Sequence, residues 1–235
     1  MKALILAAGR GRRLRPLTDV CPKPLLPVRG HRLWDWQLAA LKKAGVTDVV
    51  VNTAHLAQAF EAMPAVYAEK GLHLTLSREG ETEEAALETL GGIVKALPLL
   101  TDGEEPFLVA AGDVTHDFPM TRLMDEAQAL RDGRYDAVIV AVPNPDFHRS
   151  GDLTVASDGR VTPGAGPHTY GCLMLAAPRI FRDLPARYAK LFPWLWTHAR
   201  VKGVVWEGFW ANVGDPTELA KLSASRTAAL LVKDF

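Results

Sequence analysis

A loop rich in glycine and arginine, close to the start of the 235-residue chain, has the residue types needed to bind phosphate. An apolar run at residues 3–8 leads into Gly9 and Gly11, several arginines lie among and just after these glycines, and Lys23 follows between two prolines. Glycine lets the backbone approach a ligand closely and adopt positive φ, so such a loop can point N–H groups at a phosphate chain. The cations then neutralise the phosphate charge. The loop therefore predicts a nucleoside triphosphate site.

This loop does not fit two other phosphate-binding motifs. A Walker A motif requires Gly-Lys five and six positions after its first glycine, and the sequence has Leu14 and Arg15 there. A dinucleotide-binding fingerprint requires a third glycine three residues after Gly11, which is again the position of Leu14. A solvent-exposed turn would account for the glycines, but it leaves the concentration of positive charge unexplained.

Strands and helices alternate through the first 145 residues. Apolar runs predict strands at residues 3–8, 48–52, 72–76, 107–111 and 137–142, and a helix is predicted at residues 33–44. Continuous Val, Ile and Leu runs indicate strands buried on both faces, so we expect an α/β, Rossmann-like, mostly parallel sheet with helices on both faces. Ligands bind at the carboxyl ends of the strands in such sheets. Asp113, just after the fourth strand, is therefore expected beside the glycine-rich loop.

The sequence after residue 145 predicts a smaller, β-rich part. An Asp158-Gly159 turn predicts a hairpin that joins residues 153–156 to residues 160–162. Further strands are expected at residues 170–175 and 203–206.

A helix is predicted from Pro216 onwards. Asp215 is a favourable N-cap, and proline suits the first helical position because its missing N–H would have no partner there. Four tryptophans, at positions 194, 196, 206 and 210, precede this helix. They are equally compatible with a core and with a surface that binds a sugar.

The composition excludes several kinds of function. The 27 basic and 27 acidic side chains give zero formal net charge, which argues against nucleic-acid binding through a basic surface. Cys21 and Cys172 are the two cysteines, and their wide separation predicts neither a disulfide framework nor a zinc site. No apolar run reaches membrane-spanning length, and we expect a cytoplasmic enzyme with no membrane partner.

Residues 9–16 read Gly-x-Gly-x-Arg-Leu-x-Pro, and Pro-Lys-Pro follows at residues 22–24. This combination resembles the signature of the sugar-1-phosphate nucleotidyltransferases. The resemblance implies the nucleotide-diphospho-sugar transferase fold, as one domain over residues 1–235 with a nucleotide-binding half (1–145) and a sugar-binding half (146–235). In the implied reaction a sugar 1-phosphate attacks the α-phosphate of a nucleoside triphosphate and expels pyrophosphate. Positioning and charge neutralisation, usually with Mg²⁺, dominate catalysis of such a step.

The resemblance also implies a set of nucleotide-binding residues. Arg13 would contact the departing phosphates and Lys23 would bridge the attacking phosphate and the α-phosphate, so these two are the catalytic candidates. The flanking prolines are expected to keep the backbone of Lys23 extended. Residues 77–93 resemble the family's base-recognition segment, although Leu90 replaces a small residue and residues 81–86 form a charged insert. The implied nucleotide-binding set is Ala8, Gly9, Gly11, Arg13, Lys23, Glu79, Thr89 and Gly91, with Glu88 as a further candidate.

A Mg²⁺ site is the third implication of the resemblance. Asp113 matches the family's metal-binding aspartate and would also face the substrate. The family's Trp-x-Asp-x-Gly motif reads Trp210-Ala-Asn-Val-Gly214 here, so Asn212 takes the position of the second carboxylate. Its amide oxygen can ligate Mg²⁺, with one negative charge fewer. Asp215 is the rival ligand, although we expect it to cap the last helix.

The resemblance extends, in finer detail, to the uridylyltransferases that act on N-acetylmuramate 1-phosphate in cell-wall recycling. It depends on the Glu-Gly-Glu sequence at residues 79–81, on residues 87–100 and 144–152, and on residues 190–191 before the C-terminal Trp-x-x-x-Gly. The implied substrates are UTP and a hexosamine 1-phosphate. The lactyl carboxylate of this sugar requires a donor, for which charge alone suggests Arg149 or Lys190. The sugar-side candidates are Asn144, Asp152, Tyr170, Gly171 and Lys190.

Other functions remain open at this point. The same chemistry could serve another sugar or base, as in a glucose-1-phosphate thymidylyltransferase or uridylyltransferase, or in an enzyme like the mannose-1-phosphate guanylyltransferases. A non-catalytic nucleotide-sugar sensor is a hypothesis of a different class, which Asn212 alone favours. A glycosyltransferase is disfavoured, because no Asp-x-Asp follows an apolar strand. We favour a monomer.

Overall fold

A nine-stranded sheet forms the centre of the part of the chain that the structure describes. The structure is a computed structural model that describes residues 1–80 and 86–235. The charged insert predicted at residues 81–86 therefore lies, apart from Ala86, outside the described residues. Two short two-stranded sheets accompany the large one.

The strands alternate with helices along most of the chain. The strands are β1 (Ala3–Leu6), β2 (Pro27–Val28), β3 (His31–Arg32), β4 (Asp48–Thr53), β5 (His73–Arg78), β6 (Phe107–Ala111), β7 (Val114–His116), β8 (Ala137–Pro143), β9 (Leu153–Val155), β10 (Val161–Pro163), β11 (His168–Ala176), β12 (Val201–Val205) and β13 (Trp210–Asn212). The helices are α1 (Leu17–Val20), α2 (Asp35–Lys43), α3 (Met63–Ala68), α4 (Glu88–Leu100), α5 (Thr121–Met124), α6 (Ala127–Arg131), α7 (Leu191–His198), α8 (Pro216–Ala224) and α9 (Arg226–Leu231).

The sheet is mostly parallel in the first half of the chain, as predicted. Strand β1 pairs in parallel with β4 on one side and β6 on the other, and β5 extends the parallel set beyond β4. The predicted fifth strand, β8, does not join this set. It pairs antiparallel with β11, which lies between β6 and β8 and is antiparallel to both. Strand β12 then pairs in parallel with β8 at the outer edge.

Helices cover both faces of the sheet, which confirms the α/β prediction. Successive residues of β1 point to opposite faces, so Ile5 packs into one apolar cluster and Leu4 into another. Helix α2 contributes Leu38 and Leu41 to the first cluster, and α4 contributes Ile93 to the second. Both faces of the central strand are therefore buried, which explains its continuous apolar sequence.

The β-rich second half contains the predicted hairpin and the predicted cap. Strands β9 and β10 pair antiparallel, and Gly159 between them has a φ of +84°. Asp215 accepts hydrogen bonds from the backbone N–H groups of Thr217 and Glu218, at 2.9 and 3.0 Å, and so caps α8. The predicted final helix is two helices, because Ser225 ends α8 and caps α9. Among the described residues, no helix combines the length and the apolar character needed to cross a bilayer.

Candidate active site

The glycine-rich loop and Asp113 meet at one edge of the sheet. Leu6 at the end of β1 is in register with Ala111 at the end of β6, so the loops that follow these two strands leave the sheet side by side. The ammonium group of Lys23 contacts the carboxylate of Asp113. The two side chains are 11% and 25% exposed. The prediction that the glycine-rich loop and Asp113 lie close together is therefore confirmed.

Lys23 lies in a tight turn, and the expectation that its backbone is extended was wrong. Residues Lys23–Leu25 form one turn of 3₁₀ helix. The backbone N–H of Leu25 donates to the carbonyl of Pro22 at 2.9 Å, and that of Leu26 donates to the carbonyl of Lys23 at 3.1 Å. These two bonds close the turn, and proline can occupy such a turn because its φ is already close to the helical value.

Gly11 packs against the aliphatic part of the Lys23 side chain. It has a φ of +62°, which favours glycine, and a Cβ at this position would lie 3.1 Å from the Cβ of Lys23 and 2.9 Å from Cγ2 of Thr18. The Thr18 hydroxyl donates to the Gly11 carbonyl at 3.0 Å. Gly11 therefore lets the stem of Lys23 pack closely against the loop.

A cavity of about 870 Å³ lies in front of this pair. It extends from the ends of β1 and β6 to the start of α4. Three residues predicted to bind nucleotide, namely Gly11, Arg13 and Gly91, are outside its lining, whereas Arg12 is part of it. The lining residues are Leu6, Ala7, Ala8, Gly9, Arg10, Arg12, Lys23, Pro24, Asn52, Glu79, Ala86, Glu88, Thr89, Ala111, Asp113, Tyr170, Cys172, Tyr188, Phe192 and Asn212.

A buried Asn52–Glu79 pair links the glycine-rich loop to the predicted base-recognition segment. Oδ1 of Asn52 accepts from the backbone N–H of Ala7 at 2.7 Å, and Nδ2 of Asn52 donates to Oε1 of Glu79 at 2.6 Å. The other carboxylate oxygen of Glu79 accepts from the N–H of Leu87 at 2.7 Å. Burial raises the pKa of Glu79 above its ordinary value, and the hydrogen bonds oppose this shift. The sequence analysis missed Asn52, although a polar residue at the carboxyl end of a parallel strand is a usable signal.

The glycines of α4 serve close packing. A Cβ on Gly91 would lie 2.1 Å from the backbone carbonyl oxygen of Arg187, and a Cβ on Gly92 would lie 2.4 Å from Oε1 of Glu79. Gly91 therefore brings the helix against the segment before α7. Gly91, which was predicted to bind the nucleotide, does not line the larger cavity. Glu79 and Thr89, predicted for the same role, do line it.

The two predicted metal ligands lie close to each other: Asn212 ends β13, and Asp113 directly precedes β7, the strand with which β13 pairs. Strand β13 pairs antiparallel with β7, which places Asn212 opposite Val114, and the N–H of Val213 donates to the Asp113 carbonyl at 3.0 Å. Asp113 and Asn212 both line the larger cavity. Within residues 1–80 and 86–235, no group of three or more His, Cys, Asp or Glu side chains could hold a metal. A carboxylate and an amide oxygen suit Mg²⁺, which usually takes few protein ligands and completes its shell with phosphates and water.

Arg13 lies beside a second, smaller cavity. Its guanidinium group packs closely against Gly214: a Cβ on Gly214 would lie 3.0 Å from Nη2 of Arg13. This cavity has a volume of about 460 Å³ and shares Tyr170, Cys172, Phe192 and Asn212 with the larger one. The proposed contact of Arg13 with departing phosphates stays a prediction. Besides Arg13 and the four shared residues, the smaller cavity is lined by Phe147, His148, Asp152, Thr169, Trp196 and Trp210.

The predicted sugar-side residues divide into three groups. Asp152 and Tyr170 line the smaller cavity, whereas Asn144 and Gly171 are outside its lining and accept hydrogen bonds from residues that line it. The Asn144 amide bonds to backbone and side-chain groups of its own loop and of β11, and the Gly171 carbonyl accepts from Nε1 of Trp210 at 2.9 Å. Lys190 is exposed and lines neither cavity.

Cys172 forms part of the wall that the two cavities share. It has a φ of +61° and sits where the pairing of β11 with β8 shifts register between Tyr170 and Met174. Burial raises the pKa of its thiol far above the ordinary value. Because the thiolate is the nucleophilic form of cysteine, a raised pKa disfavours a nucleophilic role for Cys172.

The fold, with the glycine-rich loop and Asp113 at one edge of the sheet, defines a class of protein that the sequence also matches. Residues 2–163 match the nucleotidyl transferase family, and the chain belongs to this family. Its enzymes transfer a nucleotidyl group, so the chain is a nucleotidyltransferase.

Particular relatives are similar over nearly the whole length of this chain. The chain is 39% identical over 231 residues to N-acetylmuramate alpha-1-phosphate uridylyltransferase of Neisseria meningitidis serogroup B, covering 95% of this chain and 97% of the relative. It is 37% identical to the protein of the same name from Caulobacter vibrioides, covering 97% and 96%. Identity to the mannose-1-phosphate guanylyltransferase catalytic subunit beta of Danio rerio is 32%, over 93% of this chain and 62% of that protein.

Solved structures share the fold. A putative glucose-1-phosphate thymidylyltransferase from Bacillus anthracis superposes with a TM-score of 0.77 at 18% identity, covering 100% of this chain and 96% of the other. HddC from Yersinia pseudotuberculosis superposes with a TM-score of 0.71 at 20% identity, covering 94% and 97%. The nucleotide-diphospho-sugar transferase fold is therefore confirmed.

Proposed function

We propose that this protein transfers the uridylyl group of UTP to N-acetylmuramate 1-phosphate, giving the UDP-sugar and pyrophosphate. The two bacterial relatives at 39% and 37% identity carry that activity in their names. The observation that carries the proposal is the Lys23–Asp113 pair, which lines the larger cavity and interacts electrostatically with Cys172, a residue of the wall that the two cavities share. A reaction between two phosphate-bearing substrates requires a cation at such a junction.

The two cavities suit the two substrates. In this proposal UTP occupies the larger cavity, with its phosphates against the backbone of Ala8 and Gly9 and its base near Glu79 and Thr89. The sugar 1-phosphate occupies the smaller cavity. Lys23 then neutralises the attacking phosphate and the α-phosphate as they approach each other, and this neutralisation is the main demand of phosphoryl chemistry.

Asp113 and Asn212 are the residues that we propose for Mg²⁺. Their oxygens are hard ligands, and both side chains line the larger cavity. Bound Mg²⁺ would neutralise phosphate charge. Lys23, which contacts the Asp113 carboxylate, would turn to the phosphates once that carboxylate has a metal partner. On the same resemblance, we propose a cytoplasmic enzyme of cell-wall recycling that acts as a monomer.

Release of pyrophosphate across a panel of substrates tests the proposal. The panel combines UTP, dTTP and GTP with the 1-phosphates of N-acetylmuramate, N-acetylglucosamine, glucose and mannose, each with Mg²⁺. We expect the fastest release with UTP and N-acetylmuramate 1-phosphate. Faster release with GTP and mannose 1-phosphate would instead place the chain with its guanylyltransferase relatives, and silence with every pair would favour a sensor.

A further inference from the structure

His148 is a basic side chain of the smaller cavity to which the proposed reaction assigns no task. Its Nε2 lies 2.8 Å from Oδ1 of Asp152, and Oδ2 of Asp152 accepts from the backbone N–H of Tyr170 at 3.0 Å. Both oxygens of this carboxylate are therefore engaged by the protein. An imidazole that faces a carboxylate through one nitrogen can carry a proton on each nitrogen, and the protonated ring then offers positive charge to an anion.

The loop that carries His148 is firmly held. Nδ2 of Asn144 donates to the carbonyls of Arg149 and Gly166 at 3.1 and 2.7 Å, and Oδ1 of Asn144 accepts from the Thr169 hydroxyl at 2.9 Å. Gly151 has a φ of +64°, and a Cβ there would lie 2.3 Å from the Gly166 carbonyl oxygen. The His148 ring is thus placed before any ligand arrives, which lowers the entropic cost of binding.

The charges of this cavity favour an anionic ligand. Its charged lining residues, among those the structure describes, are Arg13, His148 and Asp152. Arg13 and Asp152 balance each other, so these three side chains are neutral together when the imidazole is neutral and positive when it is protonated. Aromatic rings, including those of Phe192, Trp196 and Trp210, form much of the remaining wall and suit the apolar face of a sugar ring.

The two residues that sequence charge suggested for this task are placed elsewhere. The side chain of Arg149 is 82% exposed, pairs with Asp146 at 3.3 Å and is not in the cavity lining. Lys190 is also exposed and absent from the lining. Within the described part of residues 146–235, His148 is the basic side chain that lines this cavity.

We infer that His148, positioned by Asp152, binds an acidic substituent of the sugar and so selects a carboxylate-bearing hexosamine 1-phosphate over a neutral one. This inference rests on the proposed function, in which the acidic group is the lactyl carboxylate. The contact is made equally in the ground state and in the transition state, so it acts on KM for the sugar and leaves kcat unchanged.

Two substrates that differ only in this charge test the inference. Steady-state rates with UTP are measured for N-acetylmuramate 1-phosphate and for the analogue whose lactyl carboxylate is a primary amide. The unmodified protein should prefer the acid. In His148→Gln, whose amide can still donate to Asp152, KM for the acid should rise about tenfold, as for a lost hydrogen bond to a charged group, while KM for the amide analogue stays the same. His148→Arg keeps a cation and should retain the preference.

Arg149→Gln is the matched control, since it removes the neighbouring cation that lies outside the cavity. Loss of the preference in Arg149→Gln, or an equal rise of KM for both compounds in His148→Gln, would overturn the inference. Equal use of acid and amide by the unmodified protein would also overturn it while leaving uridylyl transfer intact. Absence of transfer to either compound would instead contradict the proposed function, and the inference would fail with it.

Discussion

The ammonium group of Lys23 lies against the carboxylate of Asp113, a residue 90 positions further along the chain. The parallel pairing of β1 with β6 creates this contact, because it brings the ends of the two strands together. Without ligands, each charge balances the other. In the proposed function these two groups face phosphate and metal once substrates bind, and this pair therefore leads to the first two predictions.

Lys23→Met should lower kcat by about 10²–10³-fold, the loss typical of removing one group that stabilises charge in a transition state. The melting temperature should change little, because Asp113 is 25% exposed and water can solvate it. Rates of pyrophosphate release and thermal unfolding check both points. Lys43→Met, which removes an exposed lysine of α2, is the control, and near-normal turnover of Lys23→Met would remove this lysine from the site.

The proposed metal pair predicts opposite effects at its two positions. Asp113→Asn should reduce turnover by more than about 100-fold at any Mg²⁺ concentration. Asn212→Asp adds a negative charge and should lower the Mg²⁺ concentration for half-maximal rate by roughly tenfold. Titrations of the rate with Mg²⁺ measure both effects, and chelation with EDTA should abolish turnover of the unmodified protein. An unchanged titration in Asn212→Asp would contradict its role as a ligand.

Asp215→Ala should act on stability and leave the reaction unchanged. The substitution removes the acceptor for the N–H groups of Thr217 and Glu218, at a cost of about 1 kcal/mol in free energy of unfolding. The melting temperature should fall by about 2–4 °C for a chain of this size. Asp215→Asn retains a capping side chain and should restore most of the loss. A changed Mg²⁺ requirement in Asp215→Ala would make Asp215 a metal ligand instead.

Asp136 predicts a loss of stability in acid. Burial tends to raise its pKa, but hydrogen bonds from the side chain and backbone of Arg200 and from the side chain of Arg179 outweigh burial and lower the pKa to about 2. Because the ordinary value is 3.8, the stabilisation is complete above about pH 4 and is lost as the pH falls towards 2.

Asp136→Asn should therefore lower the free energy of unfolding at pH 7 by about 1–2 kcal/mol, after allowance for solvent around Arg200. The difference in free energy of unfolding between the two proteins should narrow below pH 4 and vanish below pH 2. Urea unfolding at a series of pH values measures it. Asp132→Asn, which changes an exposed carboxylate, is the control, and a difference that stays constant with pH would contradict the assignment.

Much of the first half of the fold could be predicted from sequence. The predicted strand at residues 107–111 has the same bounds as β6, because a continuous apolar run between polar segments is a local signal. Strand β11 was also expected near its observed position. Its insertion between β6 and β8 was not expected, because pairing partners far apart in sequence are chosen by tertiary packing, which a local pattern does not record.

The site was predictable to a similar extent. The motif and the predicted parallel sheet, whose strands present their carboxyl ends at one edge, indicated that Asp113 would lie beside the loop that carries Lys23. The direction of the Arg13 side chain and the part taken by Asn52 depend on contacts between distant segments, and the sequence analysis did not find them. The turn at Lys23 was missed for another reason, since prolines are compatible with both an extended segment and a 3₁₀ turn.

Strand β11 also decides whether the two halves of the chain can exist apart. Its first residues pair with β9, its last residues pair with β6, and β8 accompanies it along most of its length. A fragment ended at residue 145 would leave the hydrogen-bonding groups of β6 open along one side. Exposed strand edges of this kind recruit other chains. Such a fragment is expected to aggregate, so shortened versions of this protein should keep β11 whole.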